Sequence, residues 1–378
     1  MTTRALIAGL VACLAASGCA RSVRMTLAPE PVVACRAASG SHPPPVVAWF
    51  QPDDGGERRA LDERCAQVGR VLVQAPGPRP PQAPAVRRVV VATWNMHDGR
   101  GDLLEFVETL RRGTPETGAP DAVVILLQEV VRALGVGSVP NSRRTSQTGV
   151  QDIPSLVGRL GWHFAYLPGR RNRLAPQGAA AADRGVAILS TLPLSHLEAI
   201  ELPVERQRRV ALSGVVEGTD PDGAPWQLRV VSVHLENRSG ARRFWARAGA
   251  SRTRQTEALL EALALSPTQR APSPLPTVIG GDFNTWLGPG EETMTLLRDE
   301  FMSWPSEDAR PTIGVRDWRL DYLFPRLPDH IRSTHRRLES MFGSDHYPVV
   351  ATLDLGPAES RPPRTHAHEG VTTCQDCN

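Results

Sequence analysis

Between Arg87 and Leu355 the chain breaks repeatedly into short runs of β-branched and aliphatic residues, and many of these runs end in a polar or titratable side chain. "RRVVVATWN" ends on Asn95, and "DAVVILLQEV" carries Glu129, after Gln128, near its end. "WQLRVVSVHLE" places His234 behind "VVSV", and "PTVIGGDFN" closes on Asp282 and Asn284. Asp321 interrupts "RLDYLF", while Asp345 and His346 stand in "GSDHYP", just ahead of the last run, "PVVATLDL". Runs of this kind read as strands. "HFAYLP", "RGVAILST" and "RVALSGVVEG" read the same way. Helical spacing marks "DLLEFVETLRR", "IPSLVGRLG", the Arg-rich residues 241–264 and a short stretch near 291–299. Several strands in succession, mixed with helices, predict an α/β (α+β) fold of two packed β-sheets flanked by helices.

In packed sheets, polar residues at the same end of many strands converge on one cleft. The segment "GGDFNTW", residues 280–286, shows the local logic. On an extended backbone, residues two apart face the same side. Asp282 and Asn284 then address one space, and Phe283 turns into the core. A turn is the other reading of this segment, since Asp and Asn are ordinary turn residues. Acidic residues crowded into a cleft repel one another, so a positive species belongs among them. A hard divalent cation with oxygen ligands fits.

The ends of the chain read differently. Arg4 precedes the apolar "ALIAGLVACLAAS", too short to span a bilayer as a helix, with Gly18 and Cys19 behind it. This pattern predicts a signal peptide over residues 1–19 and an exported protein. "AASGC" resembles a bacterial lipobox, with Ala16 where Leu is usual, so a lipid anchor at Cys19 is expected; simple cleavage is the alternative. No other segment is long enough to be a transmembrane helix. Residues 20–85 are Pro- and Gly-rich and read as a small extension ending in the linker "APGPRPPQAP". Of the six cysteines, Cys35 and Cys65 are expected to pair, because pairing is the default outside the cytosol. The main domain is expected over 86–356 and a disordered tail over 357–378. There, Cys374 and Cys377 with His366 and His368 raise metal binding as an alternative.

Taken in order, "TWN", "QE", "GVAILS", "HLE", "GDFN", "LDYLF" and "SDHYP" resemble the endonuclease/exonuclease/phosphatase superfamily, over roughly residues 86–356. This is the fold of pancreatic-type deoxyribonucleases, class II apurinic endonucleases, neutral sphingomyelinases and inositol polyphosphate 5-phosphatases. The resemblance implies a four-layer sandwich and cleavage of a phosphoester that depends on Mg²⁺, with Mn²⁺ as a substitute. It implies that Glu129 is the main metal ligand, with Asn95 beside it and Asp345 helping to hold the site. Asp282 orients or deprotonates the attacking water, and Asn284 holds that water and a phosphate oxygen. His346 contacts the scissile phosphate as base or stabiliser, and Asp321 fixes its tautomer. His234 matches a second phosphate-binding histidine of the deoxyribonuclease and sphingomyelinase branches. The apurinic branch fits less well, because His97 stands where it has an acid and His234 where it has a tyrosine.

Arg184, just before "GVAILS", is a candidate for touching substrate phosphate, or else for pairing with a neighbouring acid. The formal net charge of +3 is too small to indicate nucleic acid by itself. Arg242, Arg243, Arg247, Arg252 and Arg254 are clustered, but a solvated helix face accounts for them. The expectation is therefore a monomeric phosphodiesterase acting on nucleic acid, with a lipid- or sugar-phosphate hydrolase as the alternative and a non-catalytic surface binding protein behind both. Trp226, Trp245 and Trp286 are the aromatic residues that a lipid enzyme could expose.

Overall fold

The computed structural model describes residues 23–28, 35, 38–40, 46–76, 85–113, 118–134, 149–172, 181–237, 249–267, 274–301, 309–314 and 317–355. In chain order the strands are β1 (Met25–Leu27), β2 (Ala38–Gly40), β3 (Ala48–Pro52), β4 (Val71–Gln74), β5 (Arg88–Asn95), β6 (Ala122–Leu134), β7 (His163–Asn172), β8 (Ala181–Ser190), β9 (Leu194–Glu201), β10 (Val210–Thr219), β11 (Pro225–His234), β12 (Thr277–Asp282), β13 (Asp321–Arg326), β14 (Arg332–Arg337) and β15 (Val349–Asp354). The helices are α1 (Gly55–Cys65), α2 (Leu103–Arg112), α3 (Ile153–Leu160), α4 (Ala250–Leu265) and α5 (Glu292–Glu300).

These strands form two mixed sheets. Sheet A has seven strands in the order β1-β3-β9-β10-β11-β12-β13, and sheet B has eight in the order β14-β15-β5-β6-β8-β7-β4-β2. Strand alternation divides the apolar residues among three layers of contact. Val89, Val91, Val124 and Leu126 of sheet B meet Leu228, Val230 and Val278 of sheet A in the core between the sheets. Their neighbours in sequence, Val90, Ala92, Trp94, Val123, Ile125 and Leu127, face the other way. There they pack on Leu103, Phe106, Val107 and Leu110 of α2 and on Ile153 and Val157 of α3. On the outside of sheet A, Val231, Val233 and Ile279 pack on Ala258, Leu259, Ala262 and Leu263 of α4 and on Met294 and Leu297 of α5. Helix, sheet, sheet and helix give the four layers expected. Phe283 lies in this last cluster, fully buried, as strand alternation predicts.

The sheets approach closely at one point. A methyl group on Gly280 would come within 2.7 Å of Leu126 and 3.2 Å of Thr93, both on the opposite sheet. A larger residue there would require Leu126, and Leu323 of the neighbouring strand at 2.6 Å, to move.

Residues 20–85 do not stand off from the main domain. β1 and β3 extend sheet A beyond β9, while β2 and β4 extend sheet B beyond β7. The acidic-basic stretch of this segment is α1, capped by Asp54, whose carboxylate accepts from the backbone N–H groups of Gly56 and Glu57 at 2.9 Å. Cys65 at its end is joined to Cys35, with Cα atoms 5.8 Å apart. Of the Arg-rich helix expected over 241–264, the described part is α4, Ala250–Leu265. Arg242, Arg243, Trp245 and Arg247 lie outside the described residues, as do the signal segment with Cys19, the linker and the tail with Cys374 and Cys377. Among the described residues no helix is long and apolar enough to cross a membrane.

The disulfide closes a separation of 30 residues, which in the chain-entropy treatment stabilises the fold by about 3 to 4 kcal/mol. Replacing both Cys35 and Cys65 with Ser is expected to lower the unfolding free energy by about that amount. Turnover measured at a permissive temperature should stay unchanged. A denaturant midpoint equal to that of the wild type would remove the bridge from the stability of the fold.

Candidate active site

Sheet A places three polar side chains in one row. His234 at the end of β11 lies opposite Asp282 at the end of β12, and Asp282 lies opposite Asp321 at the start of β13. Paired residues on adjacent strands share a face, and here that face is the one turned toward sheet B. Asn95, at the end of β5, reaches across from sheet B, and its Nδ2 donates to Asp282 Oδ2 at 3.0 Å. His234 Nε2 lies 3.5 Å from the same oxygen. The other carboxylate oxygen of Asp282 accepts from the backbone N–H of Asn284 at 2.9 Å.

Asn284 does not continue the strand. Its φ is 51°, in the left-handed region, and its Nδ2 donates to the Leu235 carbonyl at 3.1 Å. Asp282 and Asn284 therefore converge through a turn rather than through strand alternation. The turn reading of "GGDFNTW" holds, and the turn brings Asn284 back onto Asp282.

Glu129 arrives by a different device. The register of β6 against β8 shifts between Leu127 and Val130, and Glu129 takes a φ of 55°. Bulges re-aim side chains next to functional sites, and a positive φ outside glycine is kept only where its surroundings enforce it. Glu129 Oε2 accepts from the backbone N–H of Asp98 at 2.9 Å and from Arg184 Nη1 at 3.3 Å. Arg184 also pairs with Asp98. The neighbouring N–H of His97 donates to Asn95 Oδ1 at 3.0 Å. One tight loop after β5 thus holds Asn95 and Glu129 side by side.

His346 stands in the loop before β15. Its Nδ1 lies 2.7 Å from Asp321 Oδ2, and its Nε2 faces Asp345 Oδ1 at 3.8 Å. The loop is fastened to sheet B, because Ser344 Oγ donates to the Asn95 carbonyl at 2.7 Å and Trp94 Nε1 donates to the His346 carbonyl at 3.1 Å. Thr312 Oγ1 accepts from the backbone N–H groups of Leu320 and Asp321 at 2.9 and 3.1 Å, fixing the entry to β13.

The electrostatics follow from this crowding. Burial, and then the charge of Asp321, raise Asp282 to about 6, against the cation of His346 and the hydrogen bonds from Asn95 and Asn284. Burial alone would lower His346, but the charge and hydrogen bond of Asp321, with Asp282 and Asp345 behind them, raise it to about 10. Burial raises Glu129 as well, opposed by Arg209 and Arg170. His234 goes the other way: burial, then Arg209, Arg170 and His346, hold it well below the ordinary histidine value and neutral. The imidazoles flanking Asp282 therefore carry different charges at neutral pH.

The donor set suits a hard cation. Carboxylate oxygens of Asp282 and Asp321 lie within 4.8 Å of each other and of a ring nitrogen of His346, which, being protonated, is a neighbouring cation and not a ligand. Asp321 Oδ1 is buried and accepts no hydrogen bond among the described residues, a cost that a cation or ordered water offsets. Glu129 and Asn95 add oxygen donors beside that group.

Asn95, His234, Asp282, Asn284, Asp321 and His346, all picked from the sequence, meet in one cleft, with Glu129 at its wall. Asp345 is on the rim, 40% exposed, and its nearest described partner is His97 Nδ1 at 3.4 Å. Arg184 is engaged by the acids beside it, Asp98 and Glu129. Sequence reasoning missed Asp98, Thr312 and Ser344, which position the site through hydrogen bonds to its loops and side chains. It also missed Arg170 and Arg209, which line the cleft beside Glu129 and His234. The left-handed run of His97, Asp98 and Gly99 could have been suspected from "HDG", a turn-forming sequence.

Residues 92–346, more than half of the chain, match the model of the Endonuclease/Exonuclease/phosphatase family, and that span encloses every residue placed in the cleft above. No curated protein matches the chain. Among solved structures it is similar to the human Nocturnin catalytic domain with bound sulfate anion, at 22% identity and a TM-score of 0.43, over 73% of this chain and 99% of that one. It is similar to sphingomyelinase C from Streptomyces griseocarneus at 16% identity and a TM-score of 0.42, over 71% and 99%. A mutant beta toxin from Staphylococcus aureus with bound magnesium ions stands at 12% and 0.44, over 71% and 99%. At these TM-scores the likenesses say nothing of substrate, and the family rests on residues 92–346.

The His346 ring in metal-free protein should keep its proton through neutral pH and lose it only near pH 10. Because the folded value is raised above the ordinary 6.5, the pairing contributes stability that is complete below that value and lost as pH rises through about 10. NMR of the labelled ring reads this directly, and Asp321→Asn should bring the inflection down toward the ordinary value. A wild-type inflection near neutrality would contradict the charge assigned to His346.

Proposed function

Because the chain belongs to the endonuclease/exonuclease/phosphatase family, we propose that it hydrolyses a phosphoester with the help of a divalent cation and a water prepared by Asp282. The supporting observation is the row His234–Asp282–Asp321, bound to Asn95 of the opposite sheet on one side and to His346 on the other. Glu129 and Asn95, with Asp345 at the rim, would hold Mg²⁺ or Mn²⁺, which when bound supplies positive charge against the phosphate oxygens.

The chain's own residues divide the remaining work. A general base is most effective when its pKa lies near the operating pH, and Asp282, at about 6, meets that condition. His346, at about 10, does not. It stays protonated and acts as a stabiliser, its Nε2–H donating to a phosphate oxygen while Nδ1–H is held by Asp321. The neutral His234 adds a donor without adding charge. Asn284, tied to Asp282 and Leu235, positions the water and a second phosphate oxygen.

A phosphodiester is the favoured substrate. A lipid or otherwise apolar phosphodiester is a second reading, carried by the segment after Asn284. Trp286 makes an edge contact with Trp318 at 4.8 Å, and Leu287 beside it is 55% exposed. Trp226 is not part of such a surface, since it packs against the core between the sheets, and Trp245 lies outside the described residues. We place the enzyme in an exported, oxidising setting, held by a lipid at Cys19; the Cys35–Cys65 bridge agrees with that address.

Chelation is expected to abolish turnover and Mg²⁺ or Mn²⁺ to restore it, measured on plasmid DNA, RNA, sphingomyelin, inositol phosphates and a generic phosphodiester. Full activity in chelator would remove the metal from the mechanism.

In single-turnover hydrolysis, Asp282→Asn should lose about 10² to 10⁴ in rate and His346→Ala about 10² to 10³, with circular dichroism unchanged. Asp321→Ala should be milder, because the imidazole remains. The double variant with His346→Ala should add little, since the two residues act as a unit. A well-folded Asp282→Asn protein with near wild-type rate would show that the chemistry lies elsewhere.

A further inference from the structure

Buried arginines in this protein are held by carboxylates. Arg208 is gripped by both oxygens of Glu201 at 2.8 and 2.7 Å and donates to the carbonyls of Pro168 and Gly169 as well. Arg252 is gripped by both oxygens of Glu291 at 2.9 Å, and Arg229 by Glu198 and Ser213. Arg209, next in sequence to Arg208, breaks the pattern. It is only 6% exposed, yet its Nε makes no hydrogen bond among the described residues. Its ion pair with Glu236 is long, at 3.8 Å. Glu236 is already taken up by the backbone N–H of Gln207 at 3.3 Å, Gln207 Nε2 at 3.2 Å and the backbone N–H of Asn237 at 3.0 Å.

Arg170 stands in the same cleft, where it feels the charges of Glu129 and Glu236 but makes no close ion pair with either among the described residues. Its hydrogen bond is to the neutral amide of Gln207. The two guanidiniums line one opening together with Glu129, Arg184, His234 and Gly169. The free space there is about 20 Å³, room for a single water or a single phosphoryl oxygen. A buried cation without a close partner is expensive, and a pair of them facing a small opening is an arrangement that an oxyanion completes. Arg184 cannot serve in their place, because Asp98 and Glu129 already occupy it.

We propose that Arg170 and Arg209 form an oxyanion subsite beside the catalytic row, which takes a phosphate of the substrate other than the scissile one. The substrate class is then a phosphoester that carries a further phosphate, whether on a nucleotide end or on a phosphorylated head group. This assignment rests on the phosphoester reading of the cleft, but its test needs neither metal nor turnover.

The probe is inorganic phosphate, titrated calorimetrically into the full, metal-free chain. Wild type should bind it saturably. Arg170→Gln, at a half-buried position, and Arg209→Lys, which keeps the charge but not the planar fork, should each weaken binding by about tenfold or more. Arg112→Gln, an exposed arginine at the end of α2 and outside the cleft, should change it by less than about threefold on the same scale. Arg209→Met is the stronger variant, and Arg170→Gln keeps the test decisive if that protein does not fold. The sources separate in turnover. A substrate bearing an extra phosphate should lose its KM advantage over the matched substrate without it in Arg170→Gln, for nucleotides or for head groups but not for both. The assignment is overturned if wild type does not bind phosphate, or if both arginine variants bind it as wild type does. It is equally overturned if His346→Ala alone abolishes binding, because the anion would then sit at the scissile position. None of these outcomes touches the role of Asp282, which the rate of Asp282→Asn decides separately.

Discussion

The hydrogen bond from Asn95 to Asp282 joins the two sheets at the point where the chemistry is placed. Each residue ends a strand in a different sheet, so the site exists only when the sheets are stacked at the right distance and register. Gly280, two residues before Asp282 on the same face, sets that distance by letting Leu126 and Thr93 of the other sheet come close. A second polar link supports the same spacing, because Gln128 Nε2 donates to Ser232 Oγ at 3.2 Å and Ser232 Oγ donates to the Leu127 carbonyl at 3.0 Å. Buried polar groups satisfied across an interface fix one arrangement among the many that a purely apolar core tolerates. Packing and chemistry here share one geometry.

That geometry also sorts the titratable groups. Asp282 and His346 both contact their surroundings through Asp321, by adjacency across strands in one case and by a hydrogen bond in the other. Burial first, and then the Asp321 charge, push the acid up toward neutrality, while for the imidazole the same carboxylate outweighs burial and carries it beyond neutrality. Two groups that would ordinarily titrate in the acidic and near-neutral ranges are moved to about 6 and about 10. Groups whose environments push their ionisation apart in this way mark acid–base division of labour.

Most of this was legible in the sequence where a strand is long and buried on both sides. The alternation of Val89, Val90 and Val91 assigns faces without ambiguity, and Asn95, His234 and Asp282 could be placed because they terminate apolar runs, Asp321 because it stands at the head of one. Legibility fails where a strand has no buried face to announce it. β14 reads "RSTHRR" and is largely exposed, so nothing apolar marks it. β1 and β2 are three residues each, shorter than any periodicity. The bulge that turns Glu129 inward leaves no trace in composition, although the residue itself was found by its motif. Arg170 and Arg209 were invisible for another reason. An arginine in sequence is presumed solvated, and only the comparison with Arg208 shows that Arg209 is not.

The path of residues 20–85 has a consequence for the soluble life of the protein. The strands of this segment alternate between the sheets, with β1 and β3 on one and β2 and β4 on the other. Without those strands, β9 and β7 would each present an open ladder of backbone donors and acceptors. Such edges are templates for pairing with another chain. Here they are closed by strands of three to five residues whose own outer edges are too short to recruit a neighbour. The bridge between Cys35 and Cys65 ties the segment to itself, so that a local fraying event cannot easily uncover either ladder. The N-terminal strands thus occupy three residues of each edge, at Glu198–Ile200 of β9 and Phe164–Tyr166 of β7, where another chain would otherwise pair.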